Sequence, residues 1–463
     1  MTLNPRTFDA YNLFHQGTLA LARAERQGIR VDVDYVERKK VYLTRKIERM
    51  ERKFMESPFF QQWQDMMDGK ANLNSPPQLS KLLYKIKKIK VQKETASGAG
   101  ATDKEALQQL NIPELNDLLE IRGLKKLRDT YLETFIREQT AGYIHPFFNL
   151  HLVRTFRSSA NNPNFQNLPK RDEEAMQLIR KALYPRKGHQ LLEIDYSGLE
   201  VRISACYNKD ETLLRYIKNP ASDMHGDMAK QIFMLDKFDK SLPEHHTLRQ
   251  AAKNGFVFPE FYGDYYINCA SNMACSWGKL PKGKWKPGEG IPMPEGTLAD
   301  HMISKGIKSL KSFETYLQKI ETDFWENRFP DYAKWKERWW NLYKKYGYVD
   351  LLTGFRCSGV MRRNDVTNYP VQGAAFHCLL WSFIELDRII LEEKLDTRVI
   401  GQIHDSILLD VNPDERDYIV ETVKRVTCKD LPAAWKWIIV PLEIDIEICE
   451  VDSSWADKNK YRN

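Results

Sequence analysis

The chain has 463 residues, of which 42% are hydrophobic, 11% aromatic and 29% charged, so it is too long for one ordinary domain and too apolar for a disordered protein. Its 70 Lys and Arg residues against 63 Asp and Glu residues give a net charge of +7, which suits a polyanionic partner without requiring one. The sequence has no apolar run of about 18 residues and no signal-peptide pattern at its start, so we expect no membrane partner and a cytoplasmic location.

Between Phe8 and about Phe54, apolar and charged residues alternate at helical spacing, and Gly28 with the segment 29–33 interrupts them. Two long helices joined by a turn are therefore predicted. Asp32 and Asp34 are close enough to suggest a metal-binding pair of the kind found in nucleases. We favour the simpler interpretation, in which Asp34 is the N-cap of the second helix.

The segment from Ser75 to Thr102 contains two prolines, the basic run KLLYKIKKIKVQK and then ASGAGAT. Small residues and glycines do not build a regular core element, so this segment is predicted to be a mobile basic flap. Contact with phosphate is the favoured role for its lysines, and a solvated charged face is the alternative.

Three segments have strand character: 190–194, which ends at Asp195, 399–411, which is broken near His404 and Asp405, and PLEIDIEICE near the C-terminus. A mostly helical, aromatic-rich block separates the first two. It is interrupted by a segment rich in Pro, Gly and Lys, from 279 to 296, that is typical of a loop insertion. The predicted fold class is α+β, a mixed sheet carrying a helical subdomain.

Asp195 and Asp405 are distant in the chain but both follow strand-like runs. Two unpaired carboxylates brought together on one sheet would repel each other, so they are better explained as ligands of hard divalent cations. Two such ions about 4 Å apart can stabilise both the attacking and the leaving oxygen of a phosphoryl transfer. We therefore take these aspartates as the candidate metal ligands.

Eight short motifs occur in a fixed order. They are NLNS (72–75), KLRDTY (126–131), TFRSSANNPNFQNLP (155–169), DYSGLEVR (195–202), RQAAK (249–253), FPEFYG (258–263), NYPVQGAA (368–375) and QIHDS (402–406). Together they resemble the thumb pattern, the TGRLSSxxPNLQNIP signature, motifs A, B and C and the NxPVQGTAA helix of family A DNA polymerases, the DNA polymerase I-like family. The resemblance extends from about residue 8 to the end of the chain.

The resemblance implies the right-hand polymerase fold, with an antiparallel sheet in the palm and with helical fingers and a helical thumb. It implies a template-directed DNA polymerase that adds dNTPs to a primer 3'-OH by two-metal-ion nucleotidyl transfer, with primer-template DNA and dNTPs as its partners. The implied domains are the thumb and its base (1–150), the first part of the palm with motif A (151–223), the fingers with motif B (224–350, with an insertion at about 264–311), and the second part of the palm with motif C (351–463).

The resemblance also implies roles for individual residues. Asp195, Asp405 and the backbone carbonyl of Tyr196 would bind two Mg²⁺ ions, with Mn²⁺ as an alternative, and Lys253 would join the two aspartates in catalysis. The residues implied to bind the dNTP are Arg249, Lys253, Phe258, Tyr262, His225 and Glu200. Those implied to contact primer and template are Arg157, Asn164, Gln166, Asn167, Asn368, Gln372, His404 and Gly263.

The residue types suit these roles. Arg249 and Lys253 share one helix face and can grip a triphosphate. The rings of Phe258 and Tyr262 can stack on any base pair, and Glu200 beneath the sugar would exclude a 2'-hydroxyl. Amide groups suit minor-groove acceptors, which look alike for all base pairs. The alternatives are an ion-pairing helix, core packing of the rings, a surface salt bridge for Glu200 and structural hydrogen bonds for the asparagines.

The sequence departs from the family pattern at two places. Phe258 follows Lys253 by five positions where the family usually has four, so the ring and the lysine should not both keep the usual helix face. With Pro259 beside them, this predicts a bulge or break in the fingers helix. In motif C, Ser406 replaces the usual second acid, and Glu193, on the same strand face as Asp195, is our candidate to substitute for it in part.

Phe258 also bears on substrate choice, because family members with phenylalanine at the matching site discriminate against dideoxynucleotides. Phe256 and Phe261 are the other rings that could occupy that site.

Thumb-like motifs begin almost at residue 8, which leaves no room for an exonuclease domain of about 150 to 200 residues. We therefore expect no proofreading in this chain, a small phage-like enzyme acting in the host cytoplasm, and a separate exonuclease or processivity factor as a further partner. The alternative hypotheses are that the protein is a single-subunit RNA polymerase or a non-catalytic polymerase-like DNA-binding subunit. The motif 155–169 with Glu200 argues against the first, and the paired aspartates argue against the second.

Overall fold

The computed structural model describes residues 4–91, 94–95, 97–108, 110, 112–170, 172–403 and 405–461. The first ten helices are α1 (Phe8–Gln27), α2 (Val33–Met55), α3 (Pro58–Met66), α4 (Pro76–Ser80), α5 (Lys104–Gln108), α6 (Pro113–Lys126), α7 (Glu133–Glu138), α8 (Glu173–Arg180), α9 (Leu199–Asn208) and α10 (Glu211–Lys218). The others are α11 (Met224–Ile232), α12 (Pro243–Ala252), α13 (Phe258–Tyr262), α14 (Tyr266–Ser271), α15 (Leu298–Ser304), α16 (Leu310–Asp323), α17 (Pro330–Tyr346), α18 (Arg363–Glu392), α19 (Arg416–Arg425) and α20 (Leu431–Ala434).

The strands are β1 (Ile29–Val31), β2 (Tyr143–Ile144), β3 (Phe147–Asn149), β4 (Ser159–Asn161), β5 (Leu183–Tyr184), β6 (Gln190–Tyr196), β7 (Tyr348–Asp350), β8 (Arg356–Ser358), β9 (Arg398–Ile403), β10 (Ser406–Val411), β11 (Ile444–Ile448) and β12 (Asn459–Lys460). Single π-helical turns span Lys81–Ile86, Leu127–Leu132, Lys253–Val257, Asn272–Trp277, Phe324–Arg328 and Val426–Asp430. Short 3-10 turns span Phe165–Asn167, Pro413–Glu415 and Trp455–Asp457.

The central sheet has five antiparallel strands in the order β12-β11-β6-β10-β9. β6 lies in the middle, and six of its seven residues are buried, which explains why its sequence is an apolar run rather than an alternation. All three segments predicted as strands belong to this sheet. The predicted α+β class is therefore confirmed.

The long helix α18 is buried along most of its length and packs against α1, α9, α17 and β9. α1 approaches it closely at Gly17, where a Cβ atom would lie 3.0 Å from the side chain of Leu380. Further along, Arg23 Nε donates to Asp387 Oδ2 at 2.7 Å. The first helix is thus fixed to the same core as the central sheet.

The two predicted N-terminal helices are α1 and α2, joined through Gly28 and β1. The predicted N-cap, Asp34, is wrong by two residues. Asp32 is the cap, because its carboxylate accepts a hydrogen bond from the amide of Tyr35 at 2.8 Å, and Asp34 lies in the first turn. This bond gives Asp32 a structural role.

Only the first part of the segment predicted as a mobile basic flap, residues 76–86, is packed helix. α4 and the π-helical turn after it bury Leu79, Leu82 and Leu83 completely. These leucines belong to a second hydrophobic cluster, here called the tip cluster, which is separate from the main core and is formed by Phe54, Phe59, Phe60, Trp63, Leu73, Leu79, Leu82, Leu83, Leu107, Leu115, Leu118 and Ile121. The lysines flank this cluster, so the basic run carries both charge and core residues.

The predicted insertion contains α14, a π-helical turn and α15, with a segment from 278 to 297 that has no helix or regular strand among its described residues. No helix in the described part of the chain has the length and apolar character needed to cross a membrane.

Candidate active site

The two candidate aspartates lie at one end of the central sheet. Asp195 pairs directly with Ser406 across β6 and β10, and the amide of Tyr196 donates to the carbonyl of Asp405 at 3.1 Å. The amide and carbonyl of one residue in an antiparallel strand point to the same side. The carbonyl oxygen of Tyr196 therefore faces the β10 side of β6, towards Asp405.

The Asp195 carboxylate is accessible and is paired with a cation. The ammonium group of Lys170 lies 3.1 Å from Asp195 Oδ2, and both side chains are partly exposed. Lys170 was missed by the sequence analysis, although it directly follows the 155–169 motif. An oxygen-rich sheet end that already attracts a positive charge has the chemistry that divalent cations require.

Ser406 and Glu193 do not supply a further ligand. Ser406 is buried, and its hydroxyl donates to the carbonyl of Ile403 at 2.9 Å. Glu193 is also buried, and its carboxylate accepts hydrogen bonds from Lys458 Nζ at 2.5 Å and Trp455 Nε1 at 2.9 Å.

Burial alone would raise the pKa of the Glu193 carboxyl, but Lys458 and Arg180 outweigh it and hold this pKa below its ordinary value. The suggestion that Glu193 replaces the missing acid is therefore wrong, because its charge is already matched inside the sheet.

The fingers helix contains the predicted bulge. A π-helical turn at Lys253–Val257 joins α12 to α13, and Pro259, which has no amide to donate, lies in the first turn of α13. The prediction that Lys253 and the Phe258 ring lie on different helix faces is wrong, because the π-helical turn is wider than an α-helical turn and accommodates the extra residue. Lys253 Nζ lies 5.3 Å from the centroid of the Phe258 ring.

Arg249 is oriented by Asp223, which the sequence analysis missed although it lies two positions before His225. Arg249 Nε and Nη2 each donate to the Asp223 carboxylate at 2.9 Å, and Lys240 Nζ lies 3.1 Å from it. Burial would raise the pKa of Asp223, but these donors lower it to about 2. Asp223 is therefore a charged anchor for the guanidinium group.

His225 lies against the same helix. Its ring meets that of Phe258 edge-on at a centroid distance of 5.5 Å, and its buried Nδ1 has no hydrogen-bond partner among the described residues. Burial, reinforced by Lys253 and Arg249, lowers the pKa of His225 to about 4. The ring is therefore neutral near pH 7 and next to two cations.

Glu200, in the first turn of α9, contacts the end of α13. Its carboxylate contacts both the Arg157 guanidinium and the Tyr262 hydroxyl. Burial raises the pKa of Tyr262 to about 12, and the charge of Asp405 acts in the same direction. Tyr262 is thus in contact with Glu200 and within electrostatic reach of Asp405, a candidate metal ligand.

Gly263 ends α13 in the left-handed conformation, with φ +90°. A Cβ atom there would lie 2.3 Å from Asn364 Oδ1, and Asn364 Nδ2 donates to the carbonyl of Gly263 at 2.9 Å. The next turn of α18 repeats the contact, because Asn368 Nδ2 donates to the carbonyl of Tyr262 at 2.9 Å. Only glycine permits this approach between the two helices.

The remaining predicted primer and template residues are dispersed along the 155–169 motif and α18. Gln166 Nε2 donates to Ser158 Oγ and Gln402 Oε1, both at 2.6 Å. Asn164 and Asn167 are exposed, and Gln372 is half-buried on α18. His404 lies outside the described residues.

Comparisons with known proteins show the family and the fold of the chain. The chain is 28% identical to the DNA polymerase I of Lactococcus lactis subsp. cremoris over 384 residues, which is 82% of this chain and 39% of the relative. It is 27% identical to the DNA polymerase I of Pseudomonas aeruginosa over 455 residues, 94% of this chain and 43% of the relative. The chain thus spans about two fifths of the length of these curated relatives. They are bacterial, so a phage-like origin stays a prediction.

The POL domain of Pol1 from M. smegmatis, solved in complex with DNA primer-template and dNTP, has the same fold, with a TM-score of 0.73 at 24% identity over 96% of this chain and 70% of that chain. The predicted right-hand polymerase fold is therefore confirmed. Enzymes of the matched family depend on divalent metal ions. Residues 35–457 match the model of DNA polymerase family A, and the chain belongs to that family.

Proposed function

We propose that this chain is a DNA-directed DNA polymerase that adds dNTPs to the 3'-hydroxyl of a primer under the direction of a template. One observation carries the proposal: Asp195 and Asp405 lie on adjacent backbone segments at one end of the central sheet, and Tyr262 at the end of α13 is within electrostatic reach of Asp405. A binding protein for DNA would gain nothing from carboxylates placed where phosphate must approach.

Asp195, Asp405 and the carbonyl oxygen of Tyr196 would hold two Mg²⁺ ions, or Mn²⁺ in their place. Bound at this position, the two ions would activate the attacking 3'-oxygen and neutralise the charge on the leaving pyrophosphate. The contact between Lys170 and Asp195 supports this assignment, because a mobile, exposed ammonium group can yield to a stronger cation. Lys170 would then be free to contact phosphate.

The incoming triphosphate would lie along the fingers helix. Lys253 contributes a point charge and Arg249 a planar fork, which Asp223 holds in a fixed orientation. His225, neutral and packed against Phe258, would donate one hydrogen bond to a phosphate oxygen. Lys253 is also the group best placed to give a proton to the leaving pyrophosphate, since burial and Arg249 lower the pKa of its ammonium group.

The new base pair would lie against the rings of Phe258 and Tyr262, with Glu200 beneath the sugar. Primer and template would be contacted by the residues of the family pattern, namely Arg157, Asn164, Gln166, Asn167, Asn368, Gln372, His404 and Gly263. In this structure several of them contact one another, as Arg157 does with Glu200 and Asn368 with Tyr262. Such contacts would keep the pocket ordered before the substrates enter.

For the subdomains we propose the thumb and its base at 1–150, the palm at 151–223 and 351–463, and the fingers at 224–350. The tip cluster supports a separately packed thumb end, and the fixed position of α1 on the main core supports a base shared with the palm.

The test is primer extension on a primed DNA template with Mg²⁺ and dNTPs. Asp195→Asn and Asp405→Asn should each lower kcat at least about 1,000-fold, because each removes a charge from the metal site without changing its shape. Asp417→Asn, on the exposed side of α19, is the matched control and should keep the wild-type rate.

Extension by the wild type that both aspartate variants lose would support the proposal. If the wild type binds primed DNA but extends it with neither dNTPs nor NTPs, a non-catalytic role would replace it. Extension with NTPs alone would favour an RNA polymerase.

A further inference from the structure

The insertion in the fingers is a folded structure rather than a loose loop. Trp285 is buried, its ring lies 5.9 Å from that of Phe313, and its Nε1 donates to the carbonyl of Pro281 at 3.0 Å. The amide of Trp285 donates to the carbonyl of Lys308 at 2.9 Å, which ties the segment to the start of α16. The exposed residues between 279 and 286, here called the insertion loop, are therefore held in place.

The insertion loop forms one wall of an open cleft of about 1700 Å³. The opposite wall is the end of the fingers helix, with Phe258, Tyr262 and Gly263. Trp277, Lys279 and Lys282 line the insertion side, and Gln108, close to the tip cluster, also borders the space. The cleft thus borders both the proposed site of the new base pair and the insertion loop.

The insertion loop is basic, and two of its lysines, Lys279 and Lys282, line the cleft. Lys279, Lys282, Lys284 and Lys286 are all exposed within eight consecutive residues.

Two acids, Asp264 and Glu289, also line the cleft. The Asp264 carboxylate accepts hydrogen bonds from the amide of Tyr265 and from Asn268, and that of Glu289 accepts one from the amide of Lys286. These neutral donors hold both carboxylates in place but leave them charged. Residues 279–286 themselves contain no acid, so the insertion loop carries four positive charges against these two acids.

Arg249 and Lys253, the proposed triphosphate ligands, do not line this cleft, so the proposed triphosphate site lies outside it. The half-buried ring of Trp277 adds a flat apolar surface beside the lysines. A row of cations next to an aromatic ring is how proteins bind single-stranded nucleic acid, with the charges on the phosphates and the ring on a base.

We propose that the insertion loop and Trp277 bind the unpaired template strand ahead of the primer terminus. The lysines contact its phosphates, Trp277 stacks on a base, and Phe258, Tyr262 and Gly263 receive the next templating base from the same cleft. This inference rests on the proposed polymerase function and assigns its template-entry surface to a segment that the family motifs do not cover.

The experiment measures the dissociation constant of primer-template DNA by fluorescence anisotropy over a series of salt concentrations. Three substrates share one duplex: the first has a one-nucleotide template overhang, the second an unpaired overhang of about 12 nucleotides, and the third the same overhang paired with a downstream strand. The test variants are Lys279→Ala/Lys282→Ala/Lys284→Ala/Lys286→Ala and, separately, Trp277→Ala. The control is Lys187→Ala/Lys218→Ala/Lys429→Ala/Lys436→Ala, whose lysines are exposed and lie outside the cleft.

We expect the wild type to bind the long unpaired overhang more tightly than the short one. The four-lysine variant should lose at least about tenfold in affinity for the long overhang alone, and its slope of log Kd against log salt should fall by about 2 to 3, near 0.7 for each lost phosphate contact. Trp277→Ala should weaken the same substrate roughly fivefold or more. The control variant should match the wild type on all three substrates.

Equal weakening of all three substrates, weakening of the paired downstream substrate alone, or no change in any would each overturn the proposal. Circular dichroism melting of both test variants checks that they are folded, and the surface position of the lysines makes unfolding of the four-lysine variant unexpected. The readout needs no catalysis, so failure of primer extension would overturn the polymerase function while overhang-dependent binding could still hold.

Discussion

At the residue scale, the Glu200 carboxylate is fixed by two contacts, one with the Arg157 guanidinium and one with the Tyr262 hydroxyl. Glu200→Ala would open the space beneath the sugar, so we expect the ratio of kcat/KM for UTP to that for dTTP to rise about 100-fold. Steady-state incorporation of a single nucleotide measures this ratio. Glu211→Ala, exposed on α10, is the control, and an unchanged ratio in Glu200→Ala would show that another group excludes the 2'-hydroxyl.

The structure bears on which phenylalanine faces the sugar. Phe256 is fully buried against Phe324, and Phe261 packs against Phe324 and Tyr332, whereas Phe258 lies beside Lys253. The two core rings are thus poor candidates for the substrate-facing position.

Phe258→Tyr should therefore raise the use of dideoxynucleotides by at least about tenfold, since its hydroxyl can replace the missing 3'-hydroxyl of the substrate. A chain-termination assay with mixed ddTTP and dTTP measures the change. Phe261→Tyr serves as the comparison, and a larger effect there would show that the wrong ring has been assigned.

His225 predicts an acid-sensitive stability. Its pKa is about 4 in the folded protein and near 6.5 when unfolded, so between these values the unfolded chain binds more protons. The contribution of the neutral His225 ring to the free energy of unfolding is fully present above about pH 6.5. As the pH falls towards 4, this free energy decreases by at most about 3 kcal/mol.

His225→Gln should therefore show a smaller fall in Tm between about pH 7 and pH 5 than the wild type. Thermal melts at closely spaced pH values test this. His15→Gln, on the exposed side of α1, should keep the wild-type profile, and parallel profiles for the wild type and His225→Gln would refute the assignment.

At the scale of elements, the π-helical turn at Lys253–Val257 determines where Phe258 points. A regular helix advances about 100° per residue, so one further residue should turn the ring away from Lys253 and His225. Inserting an alanine after Asn254 should lower kcat/KM for dNTP at least about 100-fold. Deleting Asn254 together with Pro259→Ala should restore a regular helix and cost no more than about threefold. Equal losses in the two variants would mean that the turn itself, rather than the register it sets, is required.

The elements also differ in how far the sequence could predict them. The palm strands were predicted because a buried run or an alternation is a local pattern, and the bulge was predicted because a count of five between Lys253 and Phe258 is a local fact. The sequence did not predict that the bulge brings Lys253 back beside the ring of Phe258. This contact depends on the geometry of a π-helical turn, which the number of residues between them does not reveal. The N-cap was missed by two residues, since Asp32 and Asp34 both suit the position and only the amide of Tyr35 distinguishes them.

The candidate site shows the same limit. Asp195, Asp405 and Glu200 could be assigned from motifs, whereas Lys170 and Asp223 take their roles from partners distant in the chain. Glu193 was misassigned because strand alternation gives its face but not Lys458, which lies more than 200 positions away.

At the scale of the whole molecule, the described residues form two separate hydrophobic cores. The tip cluster lies within residues 54–121, and the main cluster joins the central sheet, α13 and α1. The smaller core was not predicted from the sequence, because its residues Leu79, Leu82 and Leu83 occur next to or within a lysine-rich run. Because the two clusters do not merge, the tip should open without the rest of the molecule.

Leu118→Ala tests this independence. Leu118 is fully buried in the tip cluster, so its truncation should cost about 2 to 5 kcal/mol, but only for the unit that contains it. Hydrogen exchange followed by mass spectrometry should show faster exchange across residues 54–121 and unchanged protection in the palm strands. Leu408→Ala, equally buried in β10, should instead speed exchange in the palm. If Leu118→Ala accelerated exchange in β6 and β10 as well, the two cores would form one cooperative unit, and the thumb end could not adjust to DNA without loosening the sheet that carries Asp195 and Asp405.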